Sequence, residues 1–326
     1  MTTFNPTILR TIETSAWTRS TPNLPECILK WRQKQLIVML KPRVSGSFLP
    51  PNSHSNLHAV QQVFPPPLAD RAWLIECLKR SPVRLVRVDA NLSEAGLKFW
   101  ADACGKSGKT MYLRLPSASH LPHKRIGLRW GCKRTFDWSL ATLILLGLSP
   151  VMLAIVGLMQ IYSPGPILFR QWRVGQRGKL FRVLKFRTMI VGAEKTHHHI
   201  MAGQSQSSLH KREDDPRITP LGKWMRKYSL DELPQLINVL QGEMSLVGPR
   251  PWALYDAVRI RPEMQERLNA LPGITGAWQV EARSTLLDID KVSDRDLEYL
   301  RNWSLWGDFK ILLKTLPKVL SGFGAC

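Results

Sequence analysis

Two units of different class are predicted: an α/β N-terminal domain over residues 1–122, and an α+β domain over 123–326. A helix–break–helix at residues 136–162 ties the second unit into one leaflet of a membrane. Three observations predict this. Val83–Val88 alternates apolar and basic residues, a helix-like stretch follows, and Thr110–Leu115 reads as a strand again. Trp138–Tyr162 is a run of 25 residues without a formal charge, with Ser149-Pro150 at its middle. Basic residues flank that run on both sides, from Lys124 to Arg134 and from Arg170 to Arg187.

Residues 1–50 are irregular apart from a short strand at Ile37–Leu40, and the proline clusters at 50–51 and 65–67 punctuate loops. Ala72–Leu78 is helical. The period of two at Val83–Val88 suits a strand with one buried face. Ser93 caps a helix over Ser93–Ala103, which Gly105 and Gly108 close. Strand–helix–strand of this length is a βαβ unit, and its topology resembles a small STAS-like regulatory domain. It holds no catalytic constellation, so an accessory or docking role is expected. Residues 116–122 read as a linker.

A run of 25 uncharged residues is long enough to span a bilayer. Pro150 removes one backbone hydrogen bond and should bend the helix, and the Ser149 hydroxyl is a candidate partner for a freed backbone group. Lys and Arg beside a membrane segment favour the cytoplasmic side. With basic flanks at both ends, entry and exit on the same face are expected, hence a re-entrant helix.

The formal charge is +21, from 46 Lys+Arg against 25 Asp+Glu, which calls for an acidic partner. Twelve of those cations and one acid, Asp137, lie between Lys124 and Arg187. This placement around an apolar run favours an anionic membrane and argues against nucleic acid, which would pair basic residues with exposed aromatics and no such run. Five cysteines without CxxC spacing predict free thiols, not a disulfide framework or a zinc site. Met1–Arg32 has no unbroken apolar h-region, so no signal peptide is expected. His197-His198-His199 has no further ligand at useful spacing and reads as a solvated loop.

Ile167–Arg173 and Lys179–Phe186 form a hairpin about the turn Val174–Gly178. Its basic residues are expected against anionic headgroups, each contributing about 1 kcal/mol. Ser229-x-x-Glu232 fits a capping box. Ser304–Leu320 is an amphipathic helix with Lys310, Lys314 and Lys318 in one stripe, suited to a membrane interface or to docking on the protein.

The ordered series Lys133-Arg134-x-x-Asp137, Ser149-Pro150, Lys185-Phe186-Arg187-Thr188-Met189, Ser229–Gln235 (SLDELPQ) and Ser245–Pro251 (SLVGPRP) resembles the bacterial sugar transferases. These are monotopic polyprenyl-phosphate phosphoglycosyl transferases, and the resemblance covers residues 130–326. The whole chain looks most like cyanobacterial members associated with heterocyst-envelope polysaccharide. The resemblance implies transfer of a sugar 1-phosphate from a UDP-sugar to polyprenyl (undecaprenyl) phosphate. The products are polyprenyl diphosphate sugar and UMP, which initiates exopolysaccharide or glycoconjugate synthesis. The implied location is the cytoplasmic face of the bacterial inner (plasma) membrane.

By the same resemblance, Asp231 is the nucleophile that forms an aspartyl phosphosugar, and Glu232 with Asp231 holds Mg2+. Such a cation is satisfied by few carboxylates plus substrate phosphate. Arg187, Arg217, Arg226 and Arg250 are the candidate phosphate forks. Gln279 and Arg283 are candidate nucleotide-sugar contacts, and Asp308 is a candidate support for the site. Glu281-Ala282-Arg283-Ser284 departs from the family's Ser-Gly-Arg type sequence, which leaves the sugar open. A homo-oligomer is compatible with the reading. The competing reading is a non-catalytic membrane scaffold or regulator of polysaccharide synthesis, which would not need Asp231-Glu232 and Arg250 together.

Overall fold

The computed structural model describes residues 27–32, 34–40, 62–63, 71–114, 128–193, 215–257, 262–282 and 288–322. The residues at 116–122, 197–199 and 283 lie outside these, as do Lys124 and Arg125.

The N-terminal unit is a five-stranded mixed sheet in the order β3-β1-β2-β4-β5. Strands β1 (Cys27–Arg32), β2 (Gln35–Leu40) and β3 (Gln62–Val63) are antiparallel neighbours. β4 (Leu85–Asp89) runs parallel to β2 and to β5 (Thr110–Arg114). Helix α1 (Arg71–Arg80) precedes β4, and α2 (Glu94–Lys106) makes the crossover to β5. The period-two pattern buries Val86 and Val88. Ser93 caps α2 as expected, accepting from Gly96 N at 3.3 Å. Helix α2 buries Leu97, Trp100, Ala101 and Cys104, a helical stripe. Two expectations need correction. Cys27–Arg32, read as irregular, is a strand, because pairing with β2 decides a short segment that has little pattern of its own. Gly105 lies inside α2 rather than ending it; Gly108, with φ +69°, makes the turn. The four described cysteines, Cys27, Cys77, Cys104 and Cys132, are in no disulfide.

Helix α3 runs from Leu128 to Tyr162. Among the described residues it is the one helix long and apolar enough to cross a membrane. Leu143, Leu146, Leu153 and Ile161 stand exposed along it. It continues through Ser149-Pro150, so no loop separates two halves. Pro150 has no N–H for the carbonyl four residues earlier, Leu146 O, and the Ser149 hydroxyl donates to that same carbonyl at 2.7 Å. The group that proline orphans is therefore satisfied locally, which lets the rest of the ladder persist.

Beyond α3, β6 (Leu168–Val174) and β7 (Leu180–Phe186) form an antiparallel hairpin, and β9 (Trp252–Ala253) adds to β6. β8 (Ser245–Val247) pairs in parallel with β10 (Gly273–Thr275). Around these lie α4 (Pro220–Lys227), a 3-10 turn at Leu230–Glu232, α5 (Gln235–Leu240) and α6 (Leu254–Ala257). A 3-10 segment at Pro262–Asn269, α7 (Ala277–Ala282), α8 (Ile289–Arg301) and α9 (Leu305–Ser321) follow. Glycine is obligatory where the β8 and β10 ends touch: a Cβ on Gly273 would lie 2.2 Å from Gly248 N.

The N-terminal end of α3 is fastened to the protein. Lys133, buried, meets Asp308 at 2.7 Å and Asp137 at 3.6 Å, and Asp137 accepts from the Ser245 hydroxyl at 2.7 Å. Arg134 donates to Met244 O at 2.7 Å and to Val239 O. These two cations, expected in a lipid-facing flank, hold α3 against α5, β8 and α9 instead.

Candidate active site

The path from α4 to α5 brings the carboxylates together. Thr219 caps α4 by accepting from Gly222 N at 3.0 Å, and Tyr228 ends that helix. Ser229 then takes a left-handed conformation, φ 54° and ψ 21°, uncommon and strained for a residue with a side chain. The expected capping box does not form: Ser229 makes no side-chain cap bond, and its carbonyl accepts from Glu232 N at 3.1 Å. The carboxylates are thus directed away from helix capping. Glu232 Oε1 meets Lys185 Nζ at 2.7 Å, and Asp231 Oδ2 lies 3.8 Å from the same ammonium. Asp231 is 7% exposed.

Glu232 and Lys185 open onto a shallow cleft also lined by Arg173, Val183, Gln235, Arg250 and Gly273. The hairpin register explains three members of this set. Arg173 pairs with Phe181 and Gln171 with Val183, so Arg173, Val183 and Lys185 share one face of the ribbon. Arg173 donates to Pro251 O at 3.2 Å and Gln171 Oε1 at 2.7 Å. Burial pulls the Arg173 guanidinium below its ordinary range. The Tyr255 phenol opposes this, the Arg250 charge adds to it, and Asp256 and Glu232 oppose it. Arg173 and Arg250 therefore face the same space.

The helix after the carboxylates is locked to the hairpin by one amide. Asn238 Oδ1 accepts from Leu184 N at 3.0 Å, and its Nδ2 donates to Arg182 O at 2.9 Å. Arg250 is anchored from behind. Its carbonyl accepts from Arg267 Nη2 at 2.6 Å, and Arg267 is paired with Asp296 at 2.5 Å. Both members of that pair are buried, and Arg267 lies 4.2 Å over the Trp252 ring.

The other candidates divide. Arg226 lies near the carboxylates and donates to Thr188 Oγ1 at 2.8 Å; burial lowers its pKa, which Asp231 and Asp215 counter, and Glu232 does so too. Arg217 is not brought to the cleft. It forks onto Asp215, Nε to Oδ1 at 2.8 Å and Nη2 to Oδ2 at 2.5 Å, and Nη1 reaches Ala193 O. Arg187 bonds Pro166 O at 2.8 Å and Ser163 O, closing the turn that follows α3, and its Nη1 is buried without a partner. Gln279 is buried, and its Oε1 has no partner. Asp308 accepts from Lys133, from the Tyr299 hydroxyl at 2.6 Å and from Trp303 Nε1 at 3.1 Å. It joins α9 to α3 and is not part of the cleft lining.

Sequence reasoning missed Lys185, Arg173 and Gln235 as site residues. Lys185 and Gln235 stood within quoted motifs, and strand parity from Val183 would have put Lys185 on the inner face. The donor set fits a hard divalent cation only sparsely. Asp231 and Glu232 supply two carboxylates, and no group of three His, Cys, Asp or Glu side chains gathers among the described residues. Mg2+ suits such a pair, because it keeps waters and substrate phosphate oxygens as its other ligands.

A family model for "Bacterial sugar transferase" matches residues 128–322. The chain is 46% identical over 162 residues to Galactosyl transferase CpsE of Streptococcus agalactiae, a match that covers 49% of this chain and 36% of that protein. It is 39% identical over 199 residues to Exopolysaccharide production protein ExoY of Sinorhizobium fredii, covering 59% of this chain and 87% of that one. Against UDP-glucose:undecaprenyl-phosphate glucose-1-phosphate transferase of Caulobacter vibrioides, identity is 40% over 220 residues, covering 65% and 77%.

Proposed function

The chain belongs to the bacterial sugar transferase family, and from that premise we propose that it is a phosphoglycosyl transferase. It moves a sugar 1-phosphate from a UDP-sugar to undecaprenyl phosphate at a membrane surface. The observation that carries the reading is the convergence of Glu232, Lys185, Arg173 and Arg250 on one cleft beside the buried Asp231.

In this reading Arg173 and Arg250 bind the diphosphate, since planar guanidinium forks match phosphate oxygens. An Asp231 carboxylate oxygen attacks the phosphorus next to the sugar. That P–O bond forms as the bond to UMP breaks, and UMP leaves with the electron pair. An oxygen of the lipid phosphate then attacks the same phosphorus and the aspartyl oxygen leaves, restoring the carboxylate and giving undecaprenyl diphosphate sugar. Dividing one displacement into two is the ordinary gain of a covalent intermediate. Lys185 holds Glu232 and Asp231 before substrate arrives, and its ammonium is placed to meet charge on the transferred phosphate. Mg2+, held by Glu232 with Asp231, would neutralise diphosphate charge when bound.

The names of the relatives differ in sugar, galactose for one and glucose for another, so the sugar is left to experiment. UMP release from a panel of UDP-sugars, with undecaprenyl phosphate in vesicles, tests the reading. Turnover with at least one sugar, abolished in Asp231→Asn, supports it. Full turnover by Asp231→Asn refutes the nucleophile, and no turnover with any sugar by the folded chain refutes the activity.

A further inference from the structure

We propose that Asp102, on α2 of the N-terminal unit, is a positioning residue for the cleft. It grips the reverse face of the β6–β7 hairpin, whose front face carries Arg173 and Lys185. The inference rests on the cleft being the transfer site.

Three donors from three elements converge on this one carboxylate. Arg71 of α1 lies at 2.5 Å, Trp172 Nε1 of β6 at 2.8 Å and Arg182 Nη2 of β7 at 3.2 Å. The hairpin register pairs Trp172 with Arg182. Successive strand residues point to opposite faces, so these two stand behind Arg173 and Val183. The Arg182 guanidinium also lies 4.6 Å over the Trp172 ring. Helix α2 is flat against that ring, because a Cβ on Gly105 would meet it at 3.2 Å. Asp102 thus takes both reverse-face side chains at once, one from each strand, and fixes the two strands relative to the N-terminal sheet.

The junction continues around Asp102. Tyr112 of β5 bridges Lys179 at the start of β7, and Gly178 approaches Leu113 so closely that a Cβ would lie 3.1 Å from its carbonyl oxygen. One cluster of buried apolar residues runs from Val86 and Trp100 to Val174, Leu180 and Trp252. The hairpin is therefore a shared wall. Its front holds the phosphate-binding cations, and its back is set by the N-terminal unit. Without the Asp102 carboxylate, Trp172 Nε1 and Arg182 lose a common acceptor and the ribbon is free to shift. Misplacement by about 1 Å is enough to cost a reaction heavily.

The test uses the full chain in vesicles, with UMP release and the thermal unfolding midpoint read for each variant. Asp102→Ala and Arg182→Ala should lower kcat/KM about tenfold, chiefly through KM for the UDP-sugar, with the fold retained. Arg71→Ala removes an ion pair of the same carboxylate without touching the hairpin, and should stay within about twofold of the parent. A folded Asp102→Ala with parent kinetics overturns the proposal. So does an Arg71→Ala loss equal to that of Arg182→Ala, because Asp102 would then serve only the N-terminal fold. If Asp102→Ala fails to fold, the comparison of Arg182→Ala with Arg71→Ala decides alone. Lys185→Ala separates the two levels. If it keeps full turnover, the cleft reading fails and this proposal with it. If it loses turnover while Asp102→Ala and Arg182→Ala do not, this proposal fails alone.

Discussion

Asn238 is the residue on which the relation between the carboxylates and the hairpin depends. Its buried amide satisfies Leu184 N and Arg182 O, both backbone groups of β7. Asn238→Ala strands both, and each buried orphan costs about 1–3 kcal/mol. Chemical denaturation should record a loss in that range or above; an unchanged midpoint would show that water replaces the amide. The Asp215–Arg217 fork gives a pH dependence. Hydrogen bonds from Arg217 hold the Asp215 carboxyl below its ordinary 3.8. A depressed carboxyl stabilises the fold above its unfolded value, and the gain is lost as pH falls through the folded one. The stability gap between the parent and Arg217→Met should therefore be constant above about pH 4 and narrow below it. A gap independent of pH would mean the fork contributes packing alone. Legibility varied at this scale. The pair Asp231-Glu232 and Arg250 were visible as motifs. The placement of Arg217 was not legible, because no sequence pattern reveals that Asp215, two residues away, pairs with its guanidinium.

The element that most repays testing is α3. Ser149 donates to the carbonyl that Pro150 leaves without its helical partner. With α3 inserted in lipid, as we propose, Ser149→Ala removes that donor where no water replaces it, and should cause a measurable loss of membrane-inserted, protease-resistant enzyme. Ser149→Thr, which keeps the hydroxyl, should restore it. We further propose that α3 enters and leaves on one face. In a cysteine-free background, single cysteines at the exposed positions 129 and 177 should react with an impermeant reagent from the same side. Reaction from opposite sides would make α3 a full span. The apolar run and its proline were legible from composition. The continuity of the helix was not, because it depends on one hydroxyl meeting one carbonyl. The hairpin was legible too, but its two faces were not: alternation marks parity, while the choice of face was made by α2 on one side and α5 on the other.

At the scale of the whole molecule, the +21 charge divides by destination. Lys133, Arg134, Arg182 and Arg187 are turned to protein partners, and Arg173 and Lys185 to the cleft. Arg129, Arg170 and Arg177 remain exposed. Replacing those three by Gln should weaken adsorption to anionic vesicles by about 1 kcal/mol each and leave the fold intact. Lys133→Ala should instead lower stability, because it leaves Asp308 and Asp137 buried without their cation. Equal adsorption by the triple variant would assign membrane affinity to apolar contacts alone. The sequence showed where charge concentrates, but not which cations face lipid, because ion pairs such as Lys133–Asp308 join residues far apart in the chain.

The central claim is that Asp231 carries the sugar phosphate. Its most direct test is acid quenching of the enzyme with UDP-sugar labelled in the phosphate next to the sugar, with no lipid acceptor present, followed by peptide mass spectrometry. The account predicts label on the peptide containing Asp231, up to one equivalent per chain, with matching UMP release and chase by undecaprenyl phosphate. Label absent from the parent enzyme while turnover proceeds, or retained in Asp231→Asn, would contradict it.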